Sequence, residues 1–319
     1  MSTRPADRSP GEPARHLISV NDLLDPELTA LVTRAADLSE RRVRSGNSLS
    51  GLVAGIHFLK TSTRTRTSFS TAALRLGADI VSFGPDDLQT NTGETLEDTA
   101  EVLSRMLDVL VVRSAGDPAD LRAMAVQRRM SLVNAMTADE HPTQAVADLA
   151  TLLVRFGRIE GLRVAYVGEG NNSAAALALT LSRFKGTHLE LRTPPGYGLA
   201  PAVAAKARAN AAAAGSTVVE THSMAEPLVD FDAFYATRWQ TTGTEKPDPD
   251  WRGVFAPYQV TSALWERSPE AVFLHDLPAH RGEDVTAEVL DGPRSLAFDQ
   301  AENKMYAAMS VLEWCARRN

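Results

Sequence analysis

The run Ala54-Gly55-Ile56-His57-Phe58-Leu59 leads through Lys60-Thr61-Ser62-Thr63-Arg64-Thr65-Arg66 into a segment carrying Phe69, Ala73 and Leu76. A short apolar run bounded by polar residues reads as a buried strand, and apolar positions three to four residues apart read as a helix face. A strand, a polar turn and a helix make half of a parallel βαβ unit. Working outward, the same alternation recurs, with strands expected at 79–83, 109–112 and 131–134 and helical patterns between them. A helix is expected over 142–156. A second series of strands then follows at 163–168, 188–192, 217–219, 233–236 and 271–274. The expected fold class is therefore α/β: two doubly wound parallel-sheet domains joined by interdomain helices.

Length agrees with this division, because 319 residues exceed what one core of roughly 150 residues supports. A flexible tail is expected over residues 1–15, where Pro5, Pro10 and Pro13 stand among mixed charges without the apolar core of a secretion signal. The first domain is expected over 16–150 and the second over 151–298. A closing helix over 299–319 is expected to return to the first domain, beside a helix over 23–42. Pro194, Pro195, Gly196 and Gly198 mark a loop and not a boundary, since the alternation continues beyond them.

Composition excludes several function classes. With 44% hydrophobic and 23% charged residues, the chain matches soluble globular proteins. Forty acidic against thirty-three basic residues give a net charge of -7, which argues against a nucleic-acid partner. No apolar run approaches the roughly 18 to 20 residues of a membrane span, so no membrane partner is expected. The single cysteine, Cys315, rules out an intramolecular disulfide and a multi-cysteine metal site, and it says nothing against a reducing cytoplasm, the expected location.

Three segments carry chemistry, each directly after an expected strand. Ser62-Thr63-Arg64-Thr65-Arg66 places hydroxyls, backbone N–H groups and two arginines at a helix start, where the helix dipole and guanidinium forks bind anions. The alternative is a polar helix start that happens to be basic. His141-Pro142-Thr143-Gln144 sets a proline in the first helical turn, so that a histidine is poised to donate to a carbonyl and a glutamine to bind an amide. His141 taken alone also suits a structural cap. The third segment is His275-Asp276-Leu277-Pro278-Ala279-His280-Arg281-Gly282-Glu283.

Together these segments resemble the aspartate and ornithine carbamoyltransferase family. Ser62 to Arg66 matches its phosphate signature, and His141 to Gln144 matches its histidine-proline-x-glutamine. The third segment, continuing through Asp284-Val285-Thr286, Pro293-Arg294-Ser295 and Ala301-Glu302-Asn303, looks like the ornithine branch. The resemblance covers nearly everything except the tail. It implies a carbamoyl-phosphate-binding domain, an amino-acid-binding domain and a homotrimer, or a multiple of one, whose active sites are completed between subunits. It further implies that Ser62, Thr63, Arg64, Thr65, Arg113, His141, Gln144 and Arg281 bind carbamoyl phosphate. Arg113, His141 and Thr65 would polarise the carbamoyl carbonyl, and Gln144 would hold the carbamoyl NH2. The acceptor amine is itself the nucleophile, so no metal and no cofactor are expected.

Departures from the pattern concern the acceptor. Ornithine enzymes carry a cysteine where this chain has Asp276, a residue suited to a substrate ammonium or to assisting deprotonation, or else to capping the turn. After the strand at 233–236, ornithine enzymes show an aspartate followed by serine-methionine-glycine; here the chain reads Thr237-Arg238-Trp239-Gln240-Thr241-Thr242-Gly243. Thr-Arg-x-Gln is similar to the aspartate enzyme, in which the arginine and glutamine bind a carboxylate, so Arg238 and Gln240 are acceptor-binding candidates. Gly168-Glu169-Gly170-Asn171-Asn172 resembles instead the ornithine enzyme's α-carboxylate site. As a dinucleotide fingerprint it fails, because Ser173 replaces the third glycine. Asn171, Asn172, Arg238, Gln240, Asp276 and Leu277 thus form the expected acceptor set. Residues 88–95 align with a loop that a neighbouring subunit inserts; the aspartate enzyme's lysine is absent there, and Gln89 is the residue able to substitute for it as a polar contact. The expected function is N-carbamoyl transfer from carbamoyl phosphate to a small amino acid, with a diamino acid such as 2,3-diaminopropionate favoured by the two charged ends. Ornithine, giving citrulline, is the alternative, and a catalytically inactive carbamoyl-phosphate-binding paralogue is the second.

Overall fold

The computed structural model describes residues 13–241 and 245–316. The tail expected over 1–15 lies mostly outside the described residues; within them, the Ala14 N–H donates to Arg128 O at 2.9 Å and the Arg15 guanidinium lies 5.6 Å from the Trp314 ring centroid. The chain divides into two compact units, one running through Ala150 and taking back the chain from Glu302, the other Thr151–Ala301.

In the first unit the elements run α1 (Asp25–Glu40), β1 (Val53–Phe58), α2 (Arg64–Arg75), β2 (Asp79–Phe83), α3 (Leu96–Leu103), β3 (Val109–Arg113), α4 (Pro118–Met124) and β4 (Ser131–Asn134). All four strands are parallel, in the order β2-β1-β3-β4. β1 and β3 are almost wholly buried, while the edge strand β2 is mostly exposed. β4 is buried because the N-terminal segment covers its outer edge: Leu17 N–H donates to Leu132 O at 2.8 Å and Leu17 O accepts from Asn134 N–H at 2.8 Å. Gly55 is required where β1 crosses the core, since a Cβ there would stand 2.7 Å from Leu107 Cδ1 and Leu110 Cδ1.

α5 (Pro142–Phe156) leads into the second unit, which contains β5 (Arg163–Val167), α6 (Asn172–Leu181), β6 (His188–Arg192), α7 (Pro201–Ala214), β7 (Thr217–Thr221), β8 (Ala233–Ala236), α8 (Trp251–Phe255), β9 (Val272–His275) and α9 (Ala287–Leu290). Its sheet, also parallel throughout, has the order β7-β6-β5-β8-β9. Phe234, Phe273, Trp265 and Tyr258 anchor its core; each such side chain contributes roughly 1.5–3 kcal/mol by leaving water. α10 (Ala297–Ala316) closes the chain. In the first unit it is tied to α1 by Arg34 with Glu313 at 2.8 Å, Ser39 with Asn303 at 2.6 Å and the Ser310 hydroxyl with Leu31 O at 2.8 Å. No described helix is long and apolar enough to cross a membrane.

Strand order positions the chemistry. In each sheet the connections reverse direction once, between β1 and β3 in the first and between β5 and β8 in the second. Open parallel sheets bind ligands at the carboxyl ends of the strands beside such a reversal.

Candidate active site

At the reversal of the first sheet, β1 delivers Ser62 to Arg66 and β3 ends on Arg113. Phe58 and Arg113 are register partners, so α2 and Arg113 start from neighbouring strand ends. Thr63 makes no side-chain cap to α2, and the first turn holds no acidic residue. The positive dipole end of a twelve-residue helix therefore faces the loop with no carboxylate in its first turn. Ser62 and Arg64 are half-buried, and Thr65 is buried. Arg113, 8% exposed, donates from Nη1 to Thr65 Oγ1 at 3.3 Å, which leaves the Thr65 hydroxyl hydrogen directed elsewhere.

β4 leads to His141, whose carbonyl accepts from Gln144 N–H at 3.0 Å as α5 begins at Pro142. The loops after β3 and β4 are tied together, since Ser114 and Ala115 both donate to Met136 O, at 3.0 and 3.2 Å. Burial holds His141 well below the usual histidine range, and the positive charges of Lys304, Arg113 and Arg64 push in the same direction. The imidazole is thus neutral near pH 7. Assigning Nδ1 as acceptor from the Thr143 hydroxyl, 3.4 Å away, puts the remaining hydrogen on Nε2. That Nε2 is buried and has no hydrogen-bond partner among the described residues. A neutral N–H donor surrounded by three cations suits an anion whose carbonyl oxygen gains charge during reaction.

Gln144 is held at both ends of its amide. Nε2 donates to Asp148 Oδ1 at 2.7 Å, and Oε1 accepts from Lys304 Nζ. Oε1 keeps a second lone pair for a ligand NH2. Lys304 and Asp148 are additions that the motifs did not single out. The traceable signal was a lone lysine on the apolar face of the closing helix, and a carboxylate four residues after Gln144.

The second unit gathers another cluster at its own reversal. Asn171 caps α6, its Oδ1 accepting from the N–H groups of Ser173 and Ala174 at 3.0 and 3.1 Å. Its Nδ2 donates to Thr237 Oγ1 and Thr241 Oγ1, both at 3.2 Å. Asn172 is buried in the first turn of α6. The loop glycines serve packing: Gly168 has φ +136 against Thr237, and a Cβ on Gly170 would lie 2.4 Å from the backbone of Gly198 and Leu199. Arg238 donates from Nε to Gln240 O at 2.5 Å, so these two candidates share one turn.

Asp276 accepts from the Thr237 hydroxyl at 3.0 Å, and its side chain is 14% exposed. His275 Nδ1, 3.8 Å away, accepts from the Leu277 N–H at 2.8 Å, while His275 Nε2 donates to the buried Asp284 carboxylate at 2.9 Å. No lysine or arginine pairs with Asp276 among the described residues. Leu277 sits at φ +54, a left-handed conformation that costs a non-glycine residue on the order of 1 kcal/mol and is held by that bond to His275. Two predicted residues have their side chains engaged by near neighbours in the sequence. Arg281 is exposed and forms a two-point ion pair with Asp291, at 2.9 and 2.5 Å. Gln89 opens an exposed single turn and accepts from the Thr92 hydroxyl at 2.8 Å.

Two family models match the chain: the aspartate/ornithine carbamoyltransferase carbamoyl-P binding domain over residues 15–153, and the Asp/Orn binding domain of the same family over residues 160–315. The chain is 39% identical to the ornithine carbamoyltransferase of Symbiobacterium thermophilum, covering 93% of this chain and 96% of that protein. The solved structure of the ornithine carbamoyltransferase from Gloeobacter violaceus is 37% identical, with a TM-score of 0.83 over 97% of this chain and 100% of that one. The enzyme from Pyrococcus furiosus is 35% identical, with a TM-score of 0.88 over 94% and 96%.

Proposed function

The chain belongs to the aspartate/ornithine carbamoyltransferase family, and on that premise we propose that it carbamoylates a small amino acid carrying a second ammonium, with 2,3-diaminopropionate as the leading acceptor. The observation that carries this is Asp276. It is a largely buried carboxylate that receives one hydroxyl and pairs with no lysine or arginine among the described residues, whereas neighbouring Glu169 is neutralised by Lys246. A carboxylate so placed favours a cationic ligand group. Arg238, Gln240 and Asn172 supply the opposite end, for a carboxylate. Asn171, whose side chain is occupied by α6 and two threonines, holds the loops.

In the first unit Ser62, Thr63, Arg64 and the amides opening α2 take the phosphate. The acceptor nitrogen, as a neutral amine, bonds to the carbamoyl carbon, and the carbonyl oxygen gains negative charge against His141 Nε2–H, Arg113 and the Thr65 hydroxyl. The C–O bond to phosphate then breaks, and the departing phosphate takes the amine's proton. Arg281 would have to leave Asp291 to reach carbamoyl phosphate, at little cost for an exposed pair. Assembly as a homotrimer or a multiple of it, with Gln89 offered to a neighbouring subunit, and a cytoplasmic location belong to the same proposal.

A second acceptor, ornithine, is supported by the relatives named ornithine carbamoyltransferase. A panel of amines incubated with carbamoyl phosphate, read by phosphate release, tests the function. Release that requires a diamino acid is expected; release with none of the amines would overturn carbamoyl transfer to an amino acid.

A further inference from the structure

Beside the acceptor site proposed above, on which the following inference rests, the second unit holds another buried charge. Lys246 follows the loop after β8, and its side chain is 2% exposed. Its ammonium pairs with Glu169 and lies 4.5, 4.6 and 5.8 Å from the ring centroids of Tyr197, Phe255 and Trp251. These rings brace one another edge to face, Tyr197 on Phe255 at 4.8 Å and Trp251 on Phe255 at 5.6 Å. A lysine ammonium is strongly hydrated, and it enters such an enclosure only where a carboxylate and aromatic faces replace the water.

The carboxylate connects this box to the acceptor cluster. Glu169 Oε1 accepts from Lys246, and Oε2 accepts from the Thr241 hydroxyl at 2.8 Å. Thr241 Oγ1 accepts from Asn171 Nδ2, which also donates to Thr237 Oγ1, and the Thr237 hydroxyl goes to Asp276. Five hydrogen bonds thus run from Lys246 to Asp276, each with a defined donor. Two carboxylates stand at the ends, one neutralised inside the chain and one facing the proposed ammonium. Such a chain transmits orientation, because a threonine hydroxyl given to one acceptor cannot be given to another.

We propose that Lys246 is a positioning residue for the acceptor: held in the aromatic box, it fixes Glu169 and, through Thr241, Asn171 and Thr237, the orientation of Asp276. It sets acceptor affinity without touching the acceptor.

Steady-state kinetics and calorimetric carbamoyl-phosphate titrations on the full chain test this with K246M, T241V and the double variant K246M/E169Q. K246M leaves half-buried Glu169 without its counter-charge, and T241V cuts the chain while sparing the ion pair. Each should raise KM for the accepted amine about tenfold, the ratio corresponding to one weakened charged hydrogen bond, with carbamoyl-phosphate affinity unchanged. In the double variant the amide that replaces the carboxylate is neutral and still accepts from Thr241, so KM should return to within about threefold of the wild type. Should K246M fail to fold, T241V decides the question alone. Wild-type acceptor KM in T241V, an equal loss of carbamoyl-phosphate affinity, or a double variant no better than folded K246M would overturn the proposal. A wild type that turns over no amine would instead overturn the proposed function, a failure visible before any variant is compared.

Discussion

Replacing Asp276 with asparagine removes a charge while keeping shape. The oxygen that accepts from the Thr237 hydroxyl at 3.0 Å has its counterpart in the amide oxygen of the Asp276→Asn variant, so the loop holding it should stay in place. What is lost is attraction for a substrate ammonium. With its side chain 14% exposed, Asp276 is neither a surface charge nor a fully dry one. A hydrogen bond to a charged group in such a setting is worth about 1.5–3 kcal/mol, hence roughly a ten- to hundredfold loss in kcat/KM, whereas an exposed pair would cost less than about fivefold. The assay compares 2,3-diaminopropionate with β-alanine, which keeps the reacting amine and the carboxylate but lacks the second ammonium. The variant should lose activity on the diamino acid and leave any activity on β-alanine nearly unchanged. Equal losses on both, or none on either, would refute the assignment of Asp276 to the ammonium.

His141→Ala removes the buried neutral N–H donor, so turnover should fall about a hundredfold with a smaller change in carbamoyl-phosphate affinity; pre-steady-state and steady-state rates separate the two. Because burial keeps His141 neutral to well below the usual histidine range, the wild-type rate should show no titration of this imidazole across pH 6–8. Arg64→Ala should weaken carbamoyl-phosphate binding by roughly 3 kcal/mol in calorimetric titration, the scale for losing a charged partner in a closed site. Burial, against hydrogen bonds from Ser19 at 2.6 Å and Val20 at 2.7 Å, pushes Glu140 up to about 7. The folded chain therefore keeps a proton that the unfolded chain has released above about pH 4.5, and stability should fall by on the order of 3 kcal/mol as pH rises from there to 7, then level off. Glu140→Gln should flatten that slope in urea unfolding at pH 5 and pH 7.5; an unchanged slope would assign it to other groups.

Local pattern carried most of the fold. β1, β2, β4, β6 and β8 lie where short apolar or β-branched runs meet polar turns, because each strand's pattern is written in its own residues. Ends were less legible where long-range bonds set them. β9 runs Val272–His275, one residue later than expected: the Ala271 N–H is spent on Ser268 O, and the His275 N–H is held by Gln300 Oε1 at 2.7 Å. β7 extends to Thr221 because it pairs with β6 through Arg192. The anion loop and His141 were readable as contiguous motifs. Lys304 with Gln144, Lys246 with Glu169 and Thr237 with Asp276 join residues 160, 77 and 39 positions apart, and no local spacing encodes such pairs.

A competition between acceptors shows whether Asp276 and Arg238 select a short diamino acid. Equal concentrations of 2,3-diaminopropionate and ornithine, incubated with limiting carbamoyl phosphate and the wild-type protein, yield two carbamoylated products whose initial ratio, read by mass spectrometry, equals the ratio of kcat/KM values. The ureido product of the shorter amino acid should predominate. A mixture dominated by citrulline would make this protein an ornithine carbamoyltransferase whose aspartate serves the loop alone.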